Sequence, residues 1–270
     1  MHHFFSSDSQ PTHYWLKNAH VPIALLTEPL LAQLTAQDPA WNTHQTRDGL
    51  VQLDLEIGNG RIIQIQPSHL QPSPSQTSPY PSLASIDLRR GILFPGFVEL
   101  HTHLDKGHIW ERSPNAVGSF AEALATVQTD CEKYWTEEDV YRRMEFGLKC
   151  SYAHGSTAIR THIDSYGEQA AISLRAFKAL QDEWRDRLTL QAVTLVSLDY
   201  FLTDAGEKLA DLIAEVGGVL GGFPHMGDQL DAELDRVFAM AKERELALDF
   251  HTDESGNPQD ITLRHVAQAV

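Results

Sequence analysis

Two patterns of apolar and polar residues divide this sequence near residue 90. Between residues 50 and 57 polar and apolar residues alternate, with the apolar set at the odd positions. A Gly-Asn-Gly sequence follows, and then a second β-branched run at 62–65; together they predict a β-hairpin. The apolar stretch at 14–26 predicts an earlier strand, and the Pro/Ser-rich stretch at 67–82 predicts an exposed loop or linker.

From residue 91 onward, short apolar runs alternate with helical patterns. The strand-like runs lie at 92–100, 157–163, 188–197, 217–223 and 246–251. Helical patterns separate them, and Thr136 is a predicted N-cap in the first gap. Strand followed by helix, repeated five times, predicts an α/β fold with a parallel sheet. An open doubly wound sheet and a closed (β/α)₈ barrel share this pattern, but neither G-x-G-x-x-G after the first strand nor G-x-x-x-x-G-K-[ST] occurs.

Charge and composition argue against several classes of binding partner. The chain has 270 residues and a net charge of −16, from 37 acidic and 21 basic residues, which argues against nucleic acid or an anionic membrane as the main partner. It lacks an 18-residue apolar run and a signal-peptide pattern, so we expect a cytoplasmic protein that does not span a membrane. Cys131 and Cys150 form no C-x-x-C pair and are expected to be reduced.

Polar residues collect where each predicted strand ends. In parallel α/β folds the carboxyl edge of the sheet is where sites form, so these residues are expected to share one site. They are His101, His103, Asp105 and Lys106 after the first strand; Arg160, His162 and Asp164; Ser197 and Asp199; His225 and Asp228; and His251, Asp253 and Glu254 after the fifth.

The spacing of His101 and His103 has a physical reason. Alternate residues of a strand point the same way, so both imidazoles can reach one metal ion. His251, from another strand, would complete three protein ligands and leave a position for water. Neutral imidazole suits Zn and Fe(II) equally. Water bound there becomes a hydroxide nucleophile, and Glu254 could carry its proton to a leaving group.

The remaining polar residues admit simpler explanations. His162 and His225 are expected either to support the ligands or contact substrate, or to be hydrogen-bonded core residues. Asp105 and Asp253 could instead cap helices or form loop salt bridges, and Lys106 could be solvated. Two histidines spaced as His101 and His103 often lie on a surface without function, so it is the conjunction of motifs on successive strand ends that favours a site.

These motifs resemble those of a known family. GILFPGFVELHTHLDK is similar to the first barrel strand of the amidohydrolase superfamily, and DGLVQLDLEIGNGRIIQI to the small β-sandwich that precedes its barrel. HTHLDK, STAIRTHID and LALDFHTDE together resemble the cytosine deaminase branch. The resemblance implies an N-terminal β-sandwich portion at 1–90 and, at 91–270, strands one to five of a (β/α)₈ TIM-type barrel.

The same resemblance implies a site and a reaction. His101, His103 and His251 match metal ligands, and Glu254 matches the glutamate that shuttles a proton to the substrate's ring nitrogen. Asp105, Lys106, His162, Asp164, Ser197, His225 and Asp253 are candidates to contact substrate or to support the ligands. The family reaction is hydroxide attack on an amidine-like carbon with loss of ammonia or an amine.

Two departures from the family pattern affect this hypothesis. The family also uses a histidine on strand six and an aspartate on strand eight. No residue of this sequence can be assigned to either role. We therefore expect this chain to be a fragment of a longer chain, or a truncated product that is inactive on its own. Cytosine deaminases carry a glutamine near the end of strand three, where this chain has Ser197, which puts cytosine specificity in doubt.

We therefore predict a hydrolase with one divalent metal ion that deaminates a cytosine-like pyrimidine or a related nitrogen heterocycle. The absence of a lysine from GGVLGGFPHMG, where relatives with two metals carry a carboxylated one, favours a single metal. The alternatives are hydrolysis of a cyclic amide or an N-substituted triazine-like ring at the same site, a non-catalytic truncated barrel, or a metal-binding protein without chemistry. A small heterocyclic substrate is the expected partner, and a homo-oligomer is left open.

Overall fold

The structure is a computed structural model that describes residues 12–43, 45–68 and 83–270. The chain divides into two compact units between Pro95 and Gly96. The first unit contains helix α1 (Glu28–Gln37) and four strands: β1 (His13–Pro22), β2 (Leu50–Gly58), β3 (Arg61–Pro67) and β4 (Ala84–Asp87). Most of the predicted Pro/Ser-rich loop lies outside the described residues.

The strands of the first unit form one sheet in the order β3-β2-β1-β4. The predicted hairpin is confirmed, because β2 and β3 pair antiparallel around a turn at Asn59 and Gly60, both at positive φ. The odd-numbered residues of β2, Val51 to Ile57, are buried as the alternation predicted. A second sheet, which a β-sandwich requires, is not found among the described residues of this unit.

A β-bulge in β1 supplies the polar partners of Asp54, which is buried on β2. The register between β1 and β2 shifts between Leu16 and Ala19, so Lys17 and Asn18 occupy the place of one residue. Asn18 adopts a φ of 56°, and its backbone N–H donates to Asp54 Oδ1 at 2.9 Å. Lys17 Nζ donates to Asp54 Oδ2, also at 2.9 Å. The buried carboxylate is thereby paired and hydrogen-bonded, which offsets its desolvation.

The second unit is built from alternating strands and helices. Its strands are β5 (Phe97–Thr102), β6 (Ser156–Asp164), β7 (Thr189–Leu195), β8 (Leu220–Gly222) and β9 (Leu248–Phe250). Its helices are α2 (Phe120–Tyr134), α3 (Glu137–Ala153), α4 (Gly167–Trp184), α5 (Asp204–Glu215), α6 (Leu230–Glu243) and α7 (Thr262–Ala269). Thr136 caps α3 as predicted, accepting a hydrogen bond from the Asp139 N–H.

The five strands run parallel and follow the order of the sequence. β5, β6 and β7 are paired in that order, as are β8 and β9, and parallel bridges at Val193–Val219 and Ser197–Phe223 join β7 to β8. Parallel α/β organisation, predicted from the alternating pattern, is therefore confirmed. Cys131 and Cys150 are both free. None of the described helices is long and apolar enough to cross a membrane.

One face of the sheet packs against the helices. Ile159 and Ile163 of β6 point to this side and are buried against α4, whose apolar residues recur every three or four positions. The core residues of α4 are Ala170, Leu174, Ala176, Phe177, Leu180 and Trp184. The opposite, polar residues of β6 are left to the other face of the sheet.

The sheet is strongly curved. In a flat sheet four strand spacings would separate β5 from β9 by about 19 Å. Yet the rings of His101 on β5 and His251, one residue beyond β9, have centroids only 4.5 Å apart. Arg160 of β6 and Asp249 of β9 likewise form an ion pair of 2.6 Å across two intervening strands. The face away from the helices is therefore concave, and its polar side chains converge.

Replacement of Phe177 by alanine tests the core between α4 and the sheet. The ring is 2% exposed, so Phe177→Ala is expected to lower the free energy of unfolding by about 3–5 kcal/mol through lost burial and a cavity. Urea denaturation measures the loss. Lys178→Ala, at the next and exposed position, is the control and should change stability by less than about 0.5 kcal/mol. Equal stability of the two variants would contradict this core assignment.

Candidate metal centre

Four histidine side chains meet at the carboxyl ends of three strands. His101 lies on β5 and His103 follows it, His162 lies on β6, and His251 follows β9. The His101 ring centroid is 4.2 Å from that of His162 and 4.5 Å from that of His251. The ring of His103 lies 5.2–5.6 Å from the other three. Residues from widely separated parts of the sequence thus form one imidazole cluster.

Three of these rings lie close enough to share an ion. His101, His162 and His251 each offer a ring nitrogen, and these atoms lie within 4.8 Å of one another. Two nitrogens bound to one zinc ion at about 2.1 Å are about 3.4 Å apart in tetrahedral geometry, so small side-chain rotations suffice. His103, a predicted ligand, is outside this tightest group, and its Nδ1 lies 3.3 Å from the carbonyl oxygen of His162.

The environment favours the neutral form of three of these imidazoles, those of His103, His162 and His251. Burial, followed by the positive charge of Lys106, lowers the pKa of His103 to about 3. Burial also lowers the pKa of His162 and of His251. Both ring nitrogens of His251 are buried without a hydrogen-bond partner. Neutral imidazoles have a lone pair to share, and orphaned buried nitrogens are rare unless something binds them. The cluster therefore fits a divalent metal ion, with Zn and Fe(II) equally suited.

The loop after β5 is fixed to β6 by charged residues. Asp105 is fully buried, and its Oδ2 accepts the backbone N–H of Asp164 at 2.8 Å. Burial and the nearby Asp164 carboxylate raise the pKa of Asp105 to about 7. Lys106 Nζ donates to Asp164 Oδ1 at 2.8 Å. Lys106 is therefore paired rather than solvated, and Asp105 holds the next strand instead of capping a helix.

Two arginines attach the same loop to the helices. Arg143 of α3 donates from Nη1 to the backbone carbonyl of Asp105 and from Nε to Asp139 Oδ2 at 2.9 Å. Arg112, further along the loop, donates to Asp139 at 2.5 and 2.9 Å. It also donates to the buried Asp130 at 2.8 and 2.7 Å. Because every charge in this network is paired, its burial is tolerated and the loop is held at both ends.

The ends of β7 and β8 contribute polar residues away from the imidazole cluster. Ser197 Oγ donates a hydrogen bond to the Asp199 carboxylate. His225 is exposed, and its ring packs edge-on against Phe223 with centroids 5.1 Å apart. Neither Ser197 nor His225 makes a described contact with the four clustered histidines.

Asp253 and Glu254 are adjacent in the sequence but differ in their hydrogen bonding. Asp253 accepts the backbone N–H of Thr262 at 2.6 Å and its hydroxyl at 2.8 Å, at the start of α7. These hydrogen bonds lower the pKa of Asp253, and they match its alternative assignment as a helix-capping residue. Glu254 is exposed, and its charge acts on His251 by opposing the fall in the pKa of that ring. Glu254 thus lies near the cluster without being bound to it.

An ion pair on the concave face joins Arg160, one of the predicted strand-end residues, to Asp249, which was not among the predicted site residues. Asp249 Oδ1 lies 3.3 Å from His162 Nε2, and Asp249 Oδ2 accepts Arg160 Nη1 at 2.6 Å. The sequence did contain a signal for both. Arg160 precedes His162 by two residues and Asp249 precedes His251 by two, so strand alternation puts each on the same face as its histidine.

Comparisons with known proteins agree with this geometry. No protein-family model matches the chain. The pterin deaminase of Rhizobium rhizogenes is 41% identical over 229 residues, which are 84% of this chain and 51% of that protein. The N-isopropylammelide isopropyl amidohydrolase of Pseudomonas sp. strain ADP is 26% identical over 191 residues, 68% of this chain and 47% of that protein. The chain thus spans about half the length of the curated relatives it matches.

Solved structures extend the similarity to the fold. The 5-methylcytosine deaminase of Klebsiella pneumoniae matches with a TM-score of 0.71 and 22% identity over 94% of this chain and 55% of that one. The N-isopropylammelide isopropylaminohydrolase of Burkholderia multivorans matches with a TM-score of 0.67 and 23% identity over 96% and 57%. With its histidine cluster at the strand ends, this chain belongs to the amidohydrolase superfamily, and its resemblance to the cytosine deaminase branch is confirmed.

Substitution of Arg143 tests the attachment of the loop that follows β5. Arg143→Met removes the donor to Asp105 and leaves Asp139 with one arginine fewer, so the free energy of unfolding should fall by about 3–5 kcal/mol, as when a buried pair is broken. Arg142→Met is a matched control, because Arg142 is exposed and its ion pair within the described residues is with Glu138 of the same helix. Chemical denaturation should find the control within about 1 kcal/mol of wild type; a similar loss in both variants would refute the role of Arg143.

Proposed function

We propose that this chain is part of a metal-dependent hydrolase that deaminates an amino-substituted nitrogen heterocycle by cleaving a C–N bond other than a peptide bond. The observation that carries the proposal is the convergence of four imidazole side chains on the concave face of a parallel sheet. The relatives named above support it, since the two curated proteins are a pterin deaminase and an amidohydrolase of an N-substituted ring.

We propose further that the five strands belong to a (β/α)₈ barrel. The curvature that brings β5 to within reach of β9 supports this assignment. So does the exposure of Val98 and Leu100 on β5, since barrel strands bury such residues on both faces. The assignments of residues 1–90 to a β-sandwich portion and of 91–270 to this partial barrel remain proposals of the same kind.

The proposed roles follow the chemistry of the side chains. His101, His103 and His251 hold one divalent metal ion through neutral ring nitrogens, and His162 supports them from β6. The metal, when bound, supplies the Lewis acidity that makes water nucleophilic near neutral pH. Glu254 accepts a proton at its carboxylate and returns it to a ring nitrogen of the substrate. Lys106, paired with Asp164, keeps the loop that carries His103 in place.

The substrate we propose is a planar ring with an exocyclic amino group, of the pyrimidine type and including fused rings such as pterin. The identity of 41% to a pterin deaminase supports a fused ring. The residue at the end of β7 is Ser197 rather than glutamine, and a hydroxyl cannot match both the donor and the acceptor of a cytosine edge as an amide does. Asp105, His225 and Asp253 stay candidates to support the site or contact this substrate.

Release of an alkylamine from an N-substituted triazine-like ring is a second candidate function. It is favoured by the similarity to the N-isopropylammelide amidohydrolase, and the same histidines and Glu254 would serve it. The cytoplasmic location remains a prediction from the sequence, and the oligomeric state stays open.

Removal of single histidines tests the metal centre. His101→Ala, His103→Ala and His251→Ala should each abolish stoichiometric zinc binding by the 270-residue chain, because three protein ligands are needed. His162→Ala should retain one zinc ion at about 10- to 100-fold lower affinity, as expected of a supporting residue. Metal analysis after equilibrium dialysis measures both. Loss of zinc from His162→Ala, with full binding by His103→Ala, would replace His103 by His162 in the ligand set.

Glu254→Gln tests the proton transfer separately from metal binding. This variant should bind zinc as the wild type does and lose at least about 100-fold in rate of ammonia release, because an amide cannot carry the proton. Activity is measured on the protein in the length that its source cells contain, established by immunoblot against the 270-residue chain. Pterin, cytosine and an N-alkyl triazine form the substrate panel, and release of amine instead of ammonia would favour the second function. Full activity of Glu254→Gln would exclude the proposed role.

A further inference from the structure

We propose that Asp249, held by Arg160, is a positioning residue that fixes the orientation of His162 and through it the imidazole cluster. This inference rests on the metal centre proposed above. The two oxygens of the Asp249 carboxylate contact different residues. Oδ2 accepts a hydrogen bond from Arg160 Nη1 at 2.6 Å, and Oδ1 lies 3.3 Å from His162 Nε2. A carboxylate behind a histidine of a metal site is a known way to set the ring's tautomer and direction.

Arg160 is itself fixed by a neighbouring strand. Its Nε donates to Gln191 Oε1 of β7 at 2.8 Å while Nη1 donates to Asp249. The guanidinium thus uses two of its nitrogens in one planar fork, which a lysine could not reproduce. The resulting chain of contacts runs from Gln191 through Arg160 and Asp249 to His162, and it links β7, β6 and β9 across the concave face.

These residues form a layer directly beneath the histidines. Arg160 lies two residues before His162 and Asp249 two residues before His251, so both side chains point to the concave face one step nearer the amino ends of the strands. In (β/α)₈ barrels such inner layers are dominated by bulky apolar residues. The Arg160 and Asp249 side chains are only partly buried, yet a charged pair there still costs some desolvation that an apolar pair would not, and its contact with His162 gives a reason for its presence.

Gly221 of β8 allows the backbone of β9 to approach closely at Asp249. A Cβ atom at Gly221 of β8 would lie 2.4 Å from the Asp249 carbonyl oxygen and 2.4 Å from Val193 Cγ1. Any larger residue at position 221 would push β9 away from β8. The glycine therefore permits the close approach that brings the Asp249 carboxylate to Arg160 and His162.

Two polar groups act on the His162 ring: the Asp249 carboxylate and the backbone of Thr102. The side chain is fully buried, and neither ring nitrogen makes a well-aligned hydrogen bond within the described structure. Its ring packs 4.2 Å from that of His101 and 4.7 Å from that of His251. Rotation of the His162 ring would therefore displace both neighbouring imidazoles, and the Asp249 carboxylate is the charged group that opposes such rotation.

The test compares Asp249→Asn with Asp211→Asn in the 270-residue chain. The control removes a carboxylate that accepts Arg244 Nε at 2.7 Å on the surface of α5, far from the histidines in the fold. Zinc affinity is measured by competition with a chromophoric chelator, and ligand geometry by the visible absorption of the Co(II)-substituted protein. We expect Asp249→Asn to bind zinc about 10- to 100-fold more weakly and to alter the cobalt spectrum, and the control to match wild type.

The outcomes separate this inference from the proposed function. Wild-type affinity and an unchanged cobalt spectrum in Asp249→Asn would overturn the positioning role while leaving the metal centre intact. Failure of the wild type itself to bind zinc would overturn the metal centre and this inference with it. If Asp249→Asn does not fold by circular dichroism, Arg160→Lys decides the question, because it keeps the charge and loses the fork. Weaker zinc binding by Arg160→Lys supports the role, and unchanged binding refutes it.

Discussion

The curvature of one parallel sheet, combined with strict alternation of side chains along its strands, determines the arrangement of the second unit. Alternation sends Ile159 and Ile163 to the helices and Arg160 and His162 to the other face. Curvature then makes that other face concave, so that side chains from non-adjacent strands meet. A one-residue shift in the register of β6 would exchange these two sets, burying charge against α4 and exposing isoleucine. Core packing and site geometry are therefore specified together.

The order and type of most helices and strands could be predicted from the sequence. Long amphipathic patterns predicted α3 and α4 and the cap at Thr136, and alternation predicted the β2–β3 hairpin, because these features depend on neighbours in the chain. The helix α1, the bulge at Lys17 and Asn18, and the shortness of β8 and β9 were not predicted. Each of these depends on contacts with distant segments, which local periodicity does not record.

The candidate site was readable in part for the same reason. Strand ends and spacing pointed to His101, His103, His251 and Glu254, and the family resemblance implied the same roles. The place of His162 inside the cluster, and the contact between Arg160 and Asp249, required knowing how far the sheet bends. The attachment of the β5 loop through Arg143 and Arg112 is also a matter of tertiary distance. Residue types and periods predict which face a side chain occupies, whereas curvature decides which side chain it meets.

The separation of the clustered histidines along the chain has a consequence for how the proposed metal centre would form. His101 and His251 are 150 residues apart in the sequence, and β9 must dock before their rings can meet. Closing so long a segment is entropically costly, and the cost is offset only when β9 is in place. During synthesis the proposed centre would therefore offer no high-affinity site until β9 has emerged and docked. Uptake of metal would then mark the end of folding rather than guide its start, and nascent or misfolded chains would not compete for the cell's supply of the ion.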